Sequence, residues 1–297
     1  MVGYLKEKGS RYSIILALLS LYFVWGSTYL AIRIALEGFP PFLMAGLRYV
    51  VAGGCLYLFL RITGVPVPTV KEWKGASAVG AFLLFGGNGG VVFAEQWVAS
   101  GVAALVIAAT PLWTVLFAGI WRRWPSPSEW VGIALGLAGV AVLNMGGELK
   151  TYPVGAIALI FAAMFWAFGS AWSRHLPLPQ GMMASAVEML AGGVLLLLAS
   201  MVTGERVGSQ PGFKAVGALV YLIIFGSLVG FSSYVYLLRR VRPSLATSYA
   251  YVNPLIAVLL GVVFAGEKIA FFEIIAVPVI LGGVVIVILG NKGRPGP

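Results

Sequence analysis

The chain has 297 residues, of which 60% are hydrophobic and only 10% charged, against about 25% charged in a soluble domain. Its mean hydropathy of +0.96, spread over apolar runs of about 20 residues each, excludes a large water-soluble core; it also excludes a transmembrane barrel, whose strands alternate in polarity. The net charge of +10 is dispersed singly between apolar runs, which excludes a nucleic-acid surface and fits loops that orient a protein in a bilayer.

The runs predict ten transmembrane helices, at about 12–32, 41–60, 75–94, 101–121, 128–146, 153–172, 181–202, 214–238, 244–264 and 270–290. The first run is long and lacks a small-residue cleavage site, so no cleavable leader is expected. Its Tyr22, Trp25 and Tyr29 share one stripe, at spacings of three and four. The second span holds Arg48 well inside the hydrocarbon. The third carries Gly86-Gly87-Asn88-Gly89-Gly90. Glycine in a helix interior costs about 0.5–1 kcal/mol relative to alanine, so four around one amide imply close backbone approach or an irregular helix lining a cavity. In the fourth span Pro111 follows Thr110, and the fifth is rich in small residues. The sixth places Phe165, Trp166 and Phe168 mid-span. The seventh buries Glu188, the eighth Ser232 and Ser233, and the ninth reads Tyr251-Val252-Asn253-Pro254. Connections are short and proline-punctuated. Residues 1–297 therefore form a single membrane domain.

Proline lacks the N–H that closes a helical turn and clashes one turn back, so Pro111 and Pro254 are expected to bend their helices. They also lie 143 residues apart, near half the chain. Other landmarks recur at similar spacing and in the same order. Ala52-Gly53-Gly54 matches Ala191-Gly192-Gly193, Phe85-Gly86 matches Phe225-Gly226, and Glu129 with Leu137-Ala138-Gly139-Val140 matches Glu273 with Leu281-Gly282-Gly283-Val284. These define two five-helix repeats, 12–147 and 153–290. An odd helix number inverts the second repeat, an arrangement typical of secondary transporters with the substrate site at the repeat interface. Lys and Arg number fourteen on one side and five on the other, with Arg48 inside a span. The excess places both termini in the cytoplasm.

An ionisable group in a span faces the bundle interior or water. Arg48 either receives a substrate carboxylate or is satisfied by backbone and hydroxyl groups at a packing surface. Glu188 is either a protonatable coupling group or similarly satisfied. Trp25 and Trp166 lie too deep for the interfacial aromatic belt; they line a pocket or pack helices. Cys55 has no partner in the chain, so neither a disulfide nor a cysteine metal site is expected. One His, one Cys and no Asp make an intramembrane enzyme the weak alternative, and no metal or cofactor is expected.

Trp25-Gly26-Ser27, Arg48 ahead of small residues, and Asn253-Pro254-Leu255 followed by Gly266-Glu267 resemble the EamA-domain branch of the drug/metabolite transporter superfamily. The likeness continues through Glu273 and Leu281-Gly282-Gly283 and covers essentially the whole chain. Within that branch it is most similar to bacterial inner-membrane amino-acid exporters of the YddG type. The first repeat departs from the pattern: Arg122-Arg123-Trp124 stands where the second has Gly266-Glu267. The resemblance implies an all-α, polytopic membrane protein of ten helices around a central cavity, exporting amino acids or related metabolites. The expected partners are a small-molecule substrate and the bilayer, not nucleic acid. Cavity candidates are Tyr22, Trp25, Tyr29, Asn88, Trp166, Ser232, Tyr251 and Asn253. A multidrug or lipophilic-cation exporter is the competing reading.

Overall fold

The structure, a computed structural model, describes residues 12–121, 124, 126–145, 151–208, 210–241, 246, 249–269 and 271–290. Every regular element among them is helical, as hydrocarbon requires of an open chain that must satisfy its own backbone polar groups. Seven helices are long and apolar enough to cross a membrane: α1 (Tyr12–Leu36), α2 (Pro41–Ile62), α3 (Val70–Ala94), α4 (Ser100–Phe117), α6 (Pro153–His175), α7 (Met182–Val202) and α8 (Phe213–Arg240). The remaining three, α5 (Pro127–Met145), α9 (Tyr249–Ala265) and α10 (Phe271–Gly290), contribute shorter apolar stretches. The ten helices fall on the ten expected spans. Of the expected ninth span, residues 244, 245, 247 and 248 lie outside the described residues.

The surface is inverted relative to a soluble protein. Large apolar side chains face outward, among them Leu58, Phe59, Leu259 and Phe264, while Arg48, Glu95, Glu188 and Asn253 are buried. An apolar exterior lets the bundle sit in lipid, and the buried polar groups require partners or a function.

Helices in corresponding places of the two halves pack against each other, and glycine lets them approach. A Cβ on Gly46 would meet Leu197 at 2.7 Å, and one on Gly53 would meet Leu190 and Ala186 within 2.9 Å. Rising numbers on α2 thus face falling numbers on α7. The α5–α10 pair behaves likewise: Gly139 faces Ile280, while Gly283 presses on the backbone of Gly136 and Gly132. In the third pair Gly101 of α4 lies against Val258 of α9, and the start of α4 meets the end of α9. All three pairs run antiparallel, the relation an inverted repeat imposes.

The ends of α2 and α7 are also alike. Gly64 (φ 87°) and Gly204 (φ 69°) take the left-handed conformation, and the next residues send N–H groups back to Leu60 and Ser200, both at 3.0 Å. This is the glycine-terminated helix end that satisfies otherwise orphaned carbonyls. Just beyond Gly204, the Glu205 carboxylate accepts from the N–H groups of Phe42 (3.1 Å) and Leu43 (2.8 Å), tying the end of α7 to the start of α2. Glu267, just past α9, serves α4 in the same manner, accepting from Ser100 N (3.0 Å) and Ser100 Oγ (2.9 Å). Trp124 stands in the corresponding place of the first half and carries no carboxylate to make this cap.

Three helices widen locally to π geometry: Ser20–Trp25 in α1, Ala81–Asn88 in α3 and Leu222–Phe231 in α8. The stretches in α3 and α8 contain the matched Phe85-Gly86 and Phe225-Gly226. Such bulges are uncommon and concentrate at functional sites.

Candidate functional site

The π stretches create seats for tryptophan. In α3 a Cβ on Gly87 would lie 2.9 Å from the Trp166 ring, and one on Gly90 would meet Ala162 at 3.0 Å. The glycine run therefore serves both purposes expected of it, close approach of α6 and an irregular helix beside a cavity. Across the pseudo-symmetry Trp25 lies against Gly230 of α8, and its Nε1 donates to the Gly226 carbonyl at 3.1 Å. Trp25 and Trp166 occupy matching positions on α1 and α6. Their rings meet edge to face, centroids 5.5 Å apart.

Between these seats lies a cavity of about 60 Å³, several times the roughly 10–15 Å³ one water needs. Helix α1 supplies Trp25, Thr28, Tyr29 and Ile32, α2 supplies Arg48 and Tyr49, and α3 supplies Gly87, Asn88 and Val91. Ile107 comes from α4, Ala162 and Trp166 from α6, Gly226 and Phe231 from α8, and Tyr249 and Asn253 from α9. Helices α1, α3, α4, α6, α8 and α9 form the wall, and α2 joins them through Arg48 and Tyr49.

Six candidates read from the sequence thus meet at one cavity: Trp25, Tyr29, Arg48, Asn88, Trp166 and Asn253. Arg48 is 2% exposed. Its Nε donates to Ser227 Oγ at 2.7 Å, and its guanidinium lies over the Tyr49 ring, 4.7 Å from the centroid. Its Nη1 is buried with no hydrogen-bond partner, as is Asn88 Oδ1. Among the described residues the ion pair formed is Arg33 with Glu267 at 3.5 Å, and none involves Arg48. Two residues of the cavity wall therefore hold an unanswered cationic donor and an unanswered acceptor.

Asn253 is committed to backbone. With its nitrogen as donor it bonds the carbonyls of Leu21 (3.1 Å), Tyr22 (3.1 Å) and Tyr249 (3.3 Å). Two of these belong to the π turn of α1, so Asn253 locks α9 to the widened part of the first helix. Pro254 follows inside a helix that continues through it. Pro111 is different. α4 is interrupted at Ala108–Ala109 and restarts at Thr110, and the Ile107 carbonyl that a residue-111 N–H would have met is taken by Thr110 Oγ1 at 2.6 Å.

The other candidates lie apart from the wall. Tyr22 is half-buried against the apolar core. Ser232 is buried and its hydroxyl has no partner, yet it does not face the cavity. Glu188 is 1% exposed and sits where α7 crosses Gly80 of α3, also off the wall. The side chain of Tyr251 lies outside the described residues.

Two residues missed in the sequence complete an aromatic layer. Tyr234 hydrogen-bonds Ser170 Oγ at 2.8 Å and accepts from Trp166 Nε1 at 3.2 Å. Tyr249 packs on Trp25 with centroids 5.1 Å apart and on Tyr234 at 5.8 Å. Trp25, Trp166, Tyr234 and Tyr249 together form a layer of ring contacts toward one end of the cavity, three of them on its wall. Toward the opposite end lie Ile107, Arg33 and Glu267, with Glu95 buried among them. Glu95 follows the last residue of α3 and both its oxygens lack partners.

A bundle that is apolar outside and polar within, built of antiparallel matched helices around a cavity at their meeting line, is a multi-pass membrane transporter. The chain belongs to the EamA-like transporter family, whose sequence profile matches residues 12–145 and 153–289. It is 47% identical over 276 residues to a protein of Escherichia coli described as an uncharacterized inner membrane transporter, YedA, covering 93% of this chain and 90% of that one. A probable terminal-alkyne amino-acid exporter of Streptantibioticus cattleyicolor is 27% identical over 255 residues, with 82% of each chain covered. A crystal structure shares the fold, with a TM-score of 0.69 and 24% identity over 94% of this chain and 98% of that one.

Proposed function

We propose that this transporter exports neutral amino acids, or closely related zwitterions, across the bacterial inner membrane by alternating access. Two five-helix repeats, 12–147 and 153–290, would move against each other, with both termini in the cytoplasm. The observation that carries the reading is the pair of unpartnered groups in one cavity, Arg48 Nη1 as donor and Asn88 Oδ1 as acceptor. A zwitterion answers both, its carboxylate on the guanidinium and its ammonium on the amide oxygen. The aromatic walls receive its side chain. The cavity's volume in this conformation suits a small side chain; a larger one requires Trp25 or Trp166 to shift. The amino-acid exporter among the relatives is in keeping with this chemistry.

Aromatic walls also favour the second reading, a lipophilic-cation exporter, through attraction of a cation to ring faces. Arg48 argues against it. A buried guanidinium without a counter-ion repels a second cation, and among the described residues no carboxylate lines the cavity. Uptake of radiolabelled alanine, threonine and leucine into everted vesicles tests the proposal. Saturable flux above vesicles lacking the protein is expected. Flux of organic cations with none for amino acids would overturn it.

A further inference from the structure

Glu95, like Glu188, is a buried carboxyl that the transport site does not use. It is 3% exposed, and neither carboxylate oxygen has a hydrogen-bond partner. A carboxylate left bare in such a place is strongly disfavoured by lost hydration, whereas a protonated carboxyl does not carry that burden. Its register on α3 matters too. Asn88 and Val91 line the cavity, and Glu95 comes four residues after Val91 and seven after Asn88, so the three share one helical stripe. The groups that reach it are Tyr29 and Arg33 from α1, Arg48 from α2 and Glu267 from the end of α9. Helix α6, packed along the last turns of α3, brings no ionisable side chain between Pro153 and Trp172. Glu267, held as a carboxylate by Arg33 and the start of α4, is an acceptor and supplies Glu95 with no donor.

We propose that Glu95 is a proton-binding site tied to the substrate cavity through Arg48. The inference rests on the reading of Arg48 as the carboxylate receptor. Burial first, then the neighbouring Glu267 carboxylate, hold the Glu95 carboxyl well above the ordinary range, while Arg33 and Arg48 pull it back. The linkage has a definite sign. A substrate carboxylate on Arg48 neutralises a charge that lowers the proton affinity of Glu95, so binding raises that affinity. By reciprocity a proton on Glu95 strengthens substrate binding. Val91, between Glu95 and Asn88 on the same stripe of α3, keeps the two sites distinct.

Infrared titration of the purified full-length transporter tests this through the carbonyl band of a protonated carboxyl. A band that titrates with pH, absent in Glu95→Gln and retained in Glu188→Gln, is expected. Arg48→Met should move the titration to higher pH by about one unit or more, the usual reach of a nearby opposite charge; Glu267→Gln should move it lower. If Arg48→Met does not fold, the Glu267→Gln shift and the amino-acid arm below carry the test. Alanine, threonine or leucine, whichever gives flux, should raise the titration in the wild-type protein. No titrating band, or one unchanged in Glu95→Gln, overturns the proton site. A band that ignores Arg48→Met and a transported amino acid overturns the linkage. A band that shifts in Arg48→Met while no amino acid gives flux upholds the proton site and overturns the amino-acid reading instead.

Discussion

At the scale of single residues, Arg48 and Glu188 show what a sequence reveals about buried charge. Both stand mid-span, so burial was legible from depth along the helix. The direction each side chain faces was not, because it depends on helix rotation, which neighbours set. Arg48 turns to the cavity, whereas Glu188 is buried off the cavity wall, its backbone packed on Gly80 of α3. Glu95 escaped notice for the converse reason. One position beyond the end of its expected span, it reads as an interfacial glutamate, and only the packing of other helices around the end of α3 buries it. For Arg48 the expected consequence is large. Replacing it with Lys keeps the charge but loses the planar fork that bonds Ser227 and a carboxylate together. Losing one charge-assisted hydrogen bond is worth about 1.5–3 kcal/mol, or roughly 10- to 100-fold in affinity. Flux measured against substrate concentration should show Arg48→Lys with a raised half-saturation and Arg48→Gln with no measurable transport, at normal expression. Wild-type flux in Arg48→Gln would remove the guanidinium from the site.

At the scale of elements, backbone chemistry was the most legible part. Proline at 111 dictates an interruption because it lacks a donor for Ile107, and Thr110 is the neighbour that can supply one. The glycine run of α3 announces a close approach because a Cβ on Gly86, Gly87 or Gly90 meets α6 and one on Gly89 meets Leu196 of α7. The aromatic layer was harder to read. Tyr49, Tyr234 and Tyr249 lie on stripes that a lipid-facing or core-facing helix would show equally, so spacing alone cannot select them. Among the glycines, adjacent positions on α10 separate packing from propensity. A Cβ on Gly283 would stand 2.5 Å from the Gly136 nitrogen and 2.6 Å from the Gly132 carbonyl oxygen, both backbone atoms that cannot yield. A Cβ on Gly282 meets only a Leu135 methyl at 3.9 Å. Gly283→Ala should therefore destabilise the α5–α10 pair by about 1–3 kcal/mol, the usual cost of overpacking. Gly282→Ala should be neutral or stabilising by up to about 1 kcal/mol through backbone entropy. Thermal melting of the two variants in detergent checks the contrast. Equal melting temperatures would mean that α5 and α10 are not held by this contact.

For the whole molecule, the two halves are alike in their glycine seats and unlike in their closures. The layer of Trp25, Trp166, Tyr234 and Tyr249 lies toward one end of the cavity by helix register, whereas charged residues, Arg33, Glu95 and Glu267, gather toward the other. A transporter working by alternating access must open these ends in turn, never together, since simultaneous opening would make it a channel. Thr28 offers a probe, being buried on the cavity wall and close in size to cysteine. The native Cys55 is exposed on α2 and is removed first, as Cys55→Ser. In that background Thr28→Cys should react with a membrane-impermeant thiol reagent from either face, in right-side-out and in everted vesicles. A saturating transported amino acid should change the two rates in opposite directions, because it shifts the populations of two states that expose the same residue to opposite sides. Rates that rise together from both faces would identify a continuous pore. Reaction from one face alone under every condition would show that the cavity is a pocket with a single entrance, and that the aromatic layer is a permanent floor.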